Sequence, residues 1–413
     1  MSKLEKLIQE LCPDGVEYKK LGEVATISRG GNLQKKDFTE KGIPCIHYGQ
    51  IYTKYGLFAD TTFSFISEES AKKQKYAEPT DIVMAVTSEN IEDVCKCVAW
   101  LGNEPVAVSG HTAIIHHNQN PRYMCYYFHS SDFQAQKNRL AHGTKVMEVT
   151  PSKLADIVLP VPPLPVQREI VRILDNFTEL TAELTAELTA RKKQYEYYRD
   201  SLLTFENETL MLPLGEVILS LNTGLNPRQF FKLNAEDANN YYVTIREIQN
   251  GTIIVSDKTD KINDEALRLC NNRSNLEVGD VLFSGTGTIG ETAVISETPT
   301  NWNIKEGVYS IKPKKELLNP RYLMYILRTD AMKRTIAKKV AGGTVKSIPM
   351  AEMRKLQIPL PSIEEQQRIV DILDSFDTLC NDLTSGLPAE IEARKKQYEY
   401  YRDRLLTFKE LEV

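Results

Sequence analysis

The residue patterns able to do chemistry are few and scattered. Gly285-Thr286-Gly287-Thr288-Ile289-Gly290 spells G-x-G-x-x-G directly after an apolar run, Val281 to Phe283. That spacing suits a dinucleotide or S-adenosylmethionine loop, provided a helix comes next with its N-terminus toward the ligand. Here Thr292-Ala293-Val294-Ile295-Ser296 comes next and reads as a strand, and the corresponding Thr87-Ser88-Glu89-Asn90 has no glycine. A hairpin loop is expected, with N–H groups and hydroxyls able to meet phosphates or base edges. Asn120-Pro121-Arg122-Tyr123 differs at its third residue from the N-P-P-Y of adenine methyltransferases, occurs twice, and has no companion cofactor motif, so it reads as a loop-to-helix junction. His111, His116 and His117 lie close on a strand-like run near Cys125 but lack a metal-ligand spacing, and are expected to be surface or core residues. There is no P-loop, no G-x-S-x-G and no paired-carboxylate signature of a nuclease.

The seven cysteines are scattered without a C-x-x-C, which predicts reduced buried thiols in a cytoplasmic protein, with no metal and no cofactor. Hydrophobic residues at 41% and charged residues at 26% give a globular profile for 413 residues, enough for two or three domains of about 150 residues. The net charge of −5 does not support a histone-like binder, though local basic clusters still permit nucleic acid. No apolar run approaches the ~18 residues that span a bilayer, and MSKLEKLIQE is a charged amphipathic helix rather than a signal peptide.

These motifs sit in a duplicated chain. ARKKQYEYYRDSLLTF, Ala190 to Phe205, returns as ARKKQYEYYRDRLLTF, Ala393 to Phe408, with Ser201 against Arg404 as the only difference. Weaker echoes keep the same order: L-G-E-V at Leu21 and Leu214, Asp81 to Met84 against Asp280 to Phe283, Asn120 to Tyr123 against Asn319 to Tyr322, and Gly143-Thr144 against Gly343-Thr344. Val171, Ile173, Leu174, Asp175 and Phe177 return as Val370, Ile372, Leu373, Asp374 and Phe376. The order is globular unit, helix, globular unit, helix. The globular units read as mixed α/β, with β-branched runs such as Ile43 to Ile51 and Tyr241 to Ile248 between Gly, Asn and Asp punctuation. Each ends in prolines, Pro160 to Pro165 and Pro359 to Pro361, which stop a strand and lead into a new helix. The first helix is expected from Val166 to Phe205, about 60 Å long, with Ile170, Ile173, Leu174, Phe177, Leu180, Leu184 and Leu188 forming one narrow seam that needs a partner helix. The second copy is interrupted at Ser385-Gly386-Leu387-Pro388 and is expected to restart at Pro388.

Duplicated, diverged α/β domains, each followed by a near-identical long helix, resemble the specificity subunit of type I restriction–modification enzymes over essentially the whole chain. The paired A-R-K-K-Q-Y-E-Y-Y-R-D segments, the G-T-I-G at Gly287 to Gly290 and the T-A-E-L tetrads at Thr181 to Leu188 carry the resemblance most specifically. It implies a non-catalytic subunit with two target-recognition domains, each reading half of a split site in double-stranded DNA. Long helices would form an antiparallel coiled coil that docks two modification (methyltransferase) subunits, with restriction subunits completing the nuclease. Tetrad number is tied to spacer length in similar subunits. Two readers in one chain can diverge, so the DNA site need not be palindromic.

The expected division is 1–162 for the first recognition domain, 163–207 for the central helix, 208–360 for the second domain and 361–413 for the C-terminal helices. For DNA contact the polar residues at strand and loop ends are the candidates: His47, Tyr48, Gln50, Lys54, Ser88, Asn90, Thr144 and Lys145 in the first half. Thr244, Arg246, Gln249, Asn250, Thr286, Thr288, Thr344 and Lys346 are those of the second half. Leu180, Leu184, Leu188, Tyr195, Tyr198, Tyr398 and Tyr401 are assigned to the coiled coil and its partners rather than to phosphate. Two rivals stay open: a methyltransferase using the Gly285 loop, which would bind S-adenosylmethionine, and a coiled-coil scaffold with no DNA role.

Overall fold

The computed structural model describes residues 2–205, 209–343, 345–381 and 386–412. They form two compact units, Met1–Glu183 with Ile391–Val413, and Leu184–Glu390.

In the first unit one five-stranded sheet runs in the order Ala25–Arg29, Thr112–His117, Ile82–Ala85, Cys97–Trp100, Phe58–Ala59. Its central strand is Ile-Val-Met-Ala, apolar at every position because both faces are covered. The period of two sorts it: Ile82 and Met84 enter one core cluster, Val83 and Ala85 another. A second five-stranded sheet, Phe38–Thr39, Ser64–Ile66, Ile43–Ile46, Val106–Val108, Lys75–Ala77, closes over Val83 and Ala85 through Ile46, Val106 and Val108. The second unit repeats the plan with fewer strands. Ile218–Thr223, Val308–Pro313, Val281–Ser284 and Thr292–Val294 make one sheet, and Lys261–Ile262, Asn240–Val243 and Trp302–Ile304 the other.

The β-branched runs are shorter as strands than their composition predicts. Strand Ile43–Ile46 gives way at His47 to the helix Tyr48–Thr53, and Asn240–Val243 gives way at Thr244 to the 3₁₀ turn Ile245–Glu247. In both, the N-cap side chain accepts a backbone N–H two residues on, while the side chain three residues on accepts the N-cap's own N–H. This reciprocal cap turns the chain away from the sheet.

N-P-R-Y is the junction its sequence predicts. Asn120 Oδ1 accepts from the N–H groups of Arg122 and Tyr123 with Pro121 in the first turn, and Asn319 does the same for Arg321 and Tyr322, a cap contributing about 1 kcal/mol. The arginine pairs with a carboxylate on the next long helix, Arg122 with Asp175 and Arg321 with Asp374, both at 2.7 Å. Tyr126 donates its hydroxyl to Asp175 and Tyr325 to Asp374. Tyr123 and Tyr322 donate theirs to the carbonyls of Pro160 and Pro359 at 3.1 Å. The motif therefore fastens the proline exit and the long helix to the domain.

The first long helix is Leu164–Leu202, starting before Val166 and ending before Phe205. Ile363–Asn381 and Leu387–Leu405 are helical, the latter with Pro388 in its first turn; residues 382–385 lie outside the described residues. The near-identical segments occupy matching sockets, one in each unit. Within the first unit Asp403 accepts the N–H of Ser131 (3.1 Å), Tyr401 stacks on Phe177 (5.4 Å) and Leu406 enters the main core. Within the second, Asp200 accepts the N–H of Asp330 (3.1 Å), Tyr198 stacks on Phe376 (5.8 Å) and Tyr195 enters the core. Each aspartate meets a helix N-terminus, where a negative charge is stabilised. Among the described residues, no helix is long and apolar enough to cross a membrane.

Candidate nucleic-acid interface

The strand ends of each unit open on a cleft. The first, of about 370 Å³, is lined by Tyr48, Tyr52, Thr87, Ser88, Glu89, Asn90, Asp93, His111 and Val146. The second, of about 530 Å³, includes Thr244, Arg246, Asp260, Thr286, Thr288, Lys305, Glu306, Gly307 and Val345. Their positions correspond through the sheets. Val86 donates its N–H to the carbonyl of His111, as Gly285 does to that of Gly307, so Thr87 matches Thr286. The N-caps match as well, setting Tyr48 against Ile245 and Gly49 against Arg246.

The first cleft is aromatic. His111 lies 4.8 Å from Tyr48, ring to ring, and its Nδ1 meets the Thr87 hydroxyl at 3.1 Å. Tyr52 donates to the Thr87 carbonyl at 2.6 Å, and burial pushes its phenol pKa up. The loop that carries Asn90 is held from below: buried Lys137 donates to the carbonyl of Ile91 (2.7 Å) and to Gln134 Oε1 (2.6 Å). Asn90 itself is folded onto Asp93, donating at 2.8 Å.

The second cleft is charged. Arg246 is more than half exposed and pairs with Asp260 at 2.8 Å. Beneath it, buried Glu247 accepts from the N–H (2.8 Å) and hydroxyl (2.7 Å) of Thr244. The glycine-rich segment is the tip of an antiparallel hairpin joining Val281–Ser284 to Thr292–Val294. Gly285 is required because a Cβ there would lie 2.3 Å from the Tyr309 ring, and Gly287, at φ +80°, donates to the Lys346 carbonyl at 2.9 Å. A strand rather than a helix succeeds this loop, so its N–H groups lack the helix N-terminus that a dinucleotide site uses.

Of the candidates, Tyr48, Ser88 and Asn90 line the first cleft and Thr244, Arg246, Thr286 and Thr288 the second. Exposed Thr144 and Lys145 lie beside Val146 of the first cleft, and exposed Lys346 beside Val345 of the second. Three residues differ from their expected outward role. His47 and Gln50 are buried and bonded within the cap, Gln50 donating to Ser64 at 2.6 Å, and burial lowers the His47 pKa to about 4. Thr244 is buried with its hydroxyl on Glu247. Polar residues at strand ends are as often caps as contacts, and local sequence does not separate the two. Lys54 sits 5.5 Å from the Phe63 ring centre, outside the cleft lining. Asn250, at φ +48°, and Gly251 form the turn between Ile248–Gln249 and Thr252–Ile253, while Gln249 donates to the Arg246 carbonyl at 2.8 Å. Thr344 lies outside the described residues.

Sequence reasoning missed His111, Tyr52, Asp260 and Lys305. His111 is exposed and lines the first cleft, whereas His116 is exposed and bonded to Asp81 (2.7 Å) and His117 is buried. Among the described residues no His, Cys, Asp or Glu group converges on a metal geometry. On the helices Tyr195 is buried and Leu184, Leu188, Tyr398 and Tyr401 are half-buried. Leu180 and Tyr198 are more exposed, and Tyr197 and Tyr400 face outward.

The family model of the type I restriction modification DNA specificity domain matches residues 13–191 and again 209–393. The chain belongs to that family. A Haemophilus influenzae protein assigned as a type I restriction enzyme specificity subunit is 32% identical over 98% of both chains. The Escherichia coli EcoR124I/EcoR124II specificity subunit is 38% identical, with the match spanning 59% of this chain and only 60% of that one. The fold is shared with a chain solved in work on complex assembly of a type I restriction–modification system (TM-score 0.65, 19% identity, 96% and 98% of the two chains). It is also shared with the HsdS subunit of Thermoanaerobacter tengcongensis (TM-score 0.50, 18% identity, 96% and 97% of the two chains).

Proposed function

We propose that the chain is the DNA sequence-specificity subunit of a type I restriction–modification complex, itself without catalytic activity. Residues 1–162 and 208–360 are the two readers of a bipartite, asymmetric site. The helices of residues 163–207 and 361–413 form the antiparallel coiled coil that sets the spacer and docks two methyltransferase subunits, with restriction subunits joining the full complex in the cytoplasm. The observation that carries this reading is the pair of clefts at equivalent positions of a twice-matched specificity domain, furnished with different side chains. Exposed Tyr197 and Tyr400, beside the lysine pairs of the repeated segments, supply outward surface for the docked subunits.

Single-molecule mapping of methylated adenines, in cells carrying this chain and its methyltransferase partner, tests the proposal. One split motif with an unread spacer is expected. Methylation by the chain alone, or binding of S-adenosylmethionine to it, would overturn it in favour of an enzyme, and methylation without sequence preference would leave only a scaffold.

A further inference from the structure

We infer that Arg246 selects a guanine in the half-site read by the second domain; this rests on the DNA-reading role proposed above. The 3₁₀ turn Ile245–Glu247 lifts Arg246 from the end of strand Asn240–Val243 to the rim of the cleft. One edge of its guanidinium is engaged inside the protein. Nη2 donates to Asp260 Oδ2 at 2.8 Å, Nε donates to the Thr244 hydroxyl at 3.3 Å, and Glu247 lies 3.8 Å from Nε. Asp260 is itself fixed by Asn234, which donates to Oδ1 at 2.9 Å. With the Nε–Nη2 edge taken, the Nη1 end and the second proton of Nη2 point away from the buttress, on a side chain 59% exposed.

Two parallel donors match only one base edge in the major groove. Guanine presents two acceptors, O6 and N7, whereas adenine sets a donor beside its N7, cytosine presents a donor, and thymine offers one acceptor beside a methyl group. The planar fork needs to be held to read that difference, and the two carboxylates hold it before DNA arrives. The first domain has Gly49 at this position and no equivalent group, so the guanine belongs to the second half-site.

The test is methylome mapping of the complete complex carrying the natural chain, Arg246→Ala, Arg246→Lys or Asp260→Asn. The natural chain is expected to require a guanine at one position of the second half-site. Arg246→Ala should relax that position by about 5- to 150-fold in preference and leave the first half-site intact, which also shows that the complex has assembled. Arg246→Lys keeps the charge but not the fork, and should relax the same base. Asp260→Asn, a positioning change, should relax it in part without altering other positions. A second half-site lacking guanine, or an unchanged preference in Arg246→Ala, overturns the inference. So does a uniform loss rescued by lysine, which would mark a phosphate contact. A natural complex that methylates no split motif refutes the underlying reading instead.

Discussion

The two clefts share a backbone and differ in what stands on it. Where the first has Gly49, the second has Arg246; where the first has His111, the second has Gly307, whose Cβ would meet the Thr286 side chain at 2.8 Å. Large side chains and glycines have exchanged places between copies, so each cleft remains open while its chemistry changes from aromatic to charged. The exchange is confined to strand ends. The fastenings beneath, Arg122–Asp175 and Arg321–Asp374, and the sockets for Asp403 and Asp200, are the same in both units. Recognition is free to diverge where side chains leave the core, and the scaffold stays fixed where they enter it.

Replacing the residues before Pro160 with another reader should break the comparison most completely. The first half-site should change entirely and the second not at all, because each unit has its own core; a change in both, read by methylome mapping, would show that the readers are coupled. Deleting Thr185 to Leu188 should change neither cleft. It shortens a helix by about 6 Å and turns the remainder of that helix by a net of about 40°, close to the 34–36° of one base pair at 10–10.5 per turn. Both half-sites are expected unchanged with a spacer shorter by about one base pair, and an active complex with the original spacer would refute the ruler.

Smaller effects separate the two units by stability. Asp374→Asn removes the negative charge that Arg321 and Tyr325 share, leaving a neutral amide oxygen to accept from both, and should cost the second unit about 1–2 kcal/mol, the pair being partly solvated, while Asp175→Asn costs the first a similar amount. Each unit has one tryptophan, Trp100 and Trp302. Urea titration of the Trp302→Phe and Trp100→Phe backgrounds therefore reads the units separately. Acid should distinguish them further, since all six histidines lie in the first unit. Burial depresses His47 and His117 from 6.5 to about 4. Between those values the unfolded chain binds more protons than the folded one, so this stability is present above about pH 6.5 and is lost as pH falls toward 4. The Trp100 signal should lose urea resistance across that window more steeply than the Trp302 signal. Equal slopes would show that these imidazoles do not govern the acid response.

The duplication, the capped N-P-R-Y junctions and the hairpin at Gly285 were legible because each has a local signature: a repeat, an Asn-Pro pair, a β-branched run after the glycines. The inward turn of His47, Gln50 and Thr244 was not, since a cap and a contact use the same residue types. Nor does any local feature tie Asp260 to Arg246, because that pairing exists only after the three-stranded sheet has formed. Two segments of near-identical sequence cannot say which domain each supports; packing shows Tyr195 in the second unit's core and Leu406 in the first's.

The placing of Leu406 in the first unit bears on how the chain is made. Tyr18 exchanges hydrogen bonds with the backbone of Phe408, and Val16 with Lys409 and Leu411, so although the strand Tyr18–Lys20 pairs with Val158–Pro160, the segment around Val16 completes its bonding only with residues synthesised some 390 positions later. At about 5–20 residues per second, the 390 positions between Tyr18 and Phe408 take a ribosome roughly 20–80 s. During that time the first unit lacks its last helix and leaves the apolar socket of Leu406 open to water and to chaperones. The second unit, continuous from Leu184 to Glu390, waits for nothing synthesised later. The half translated first is the half that finishes folding last.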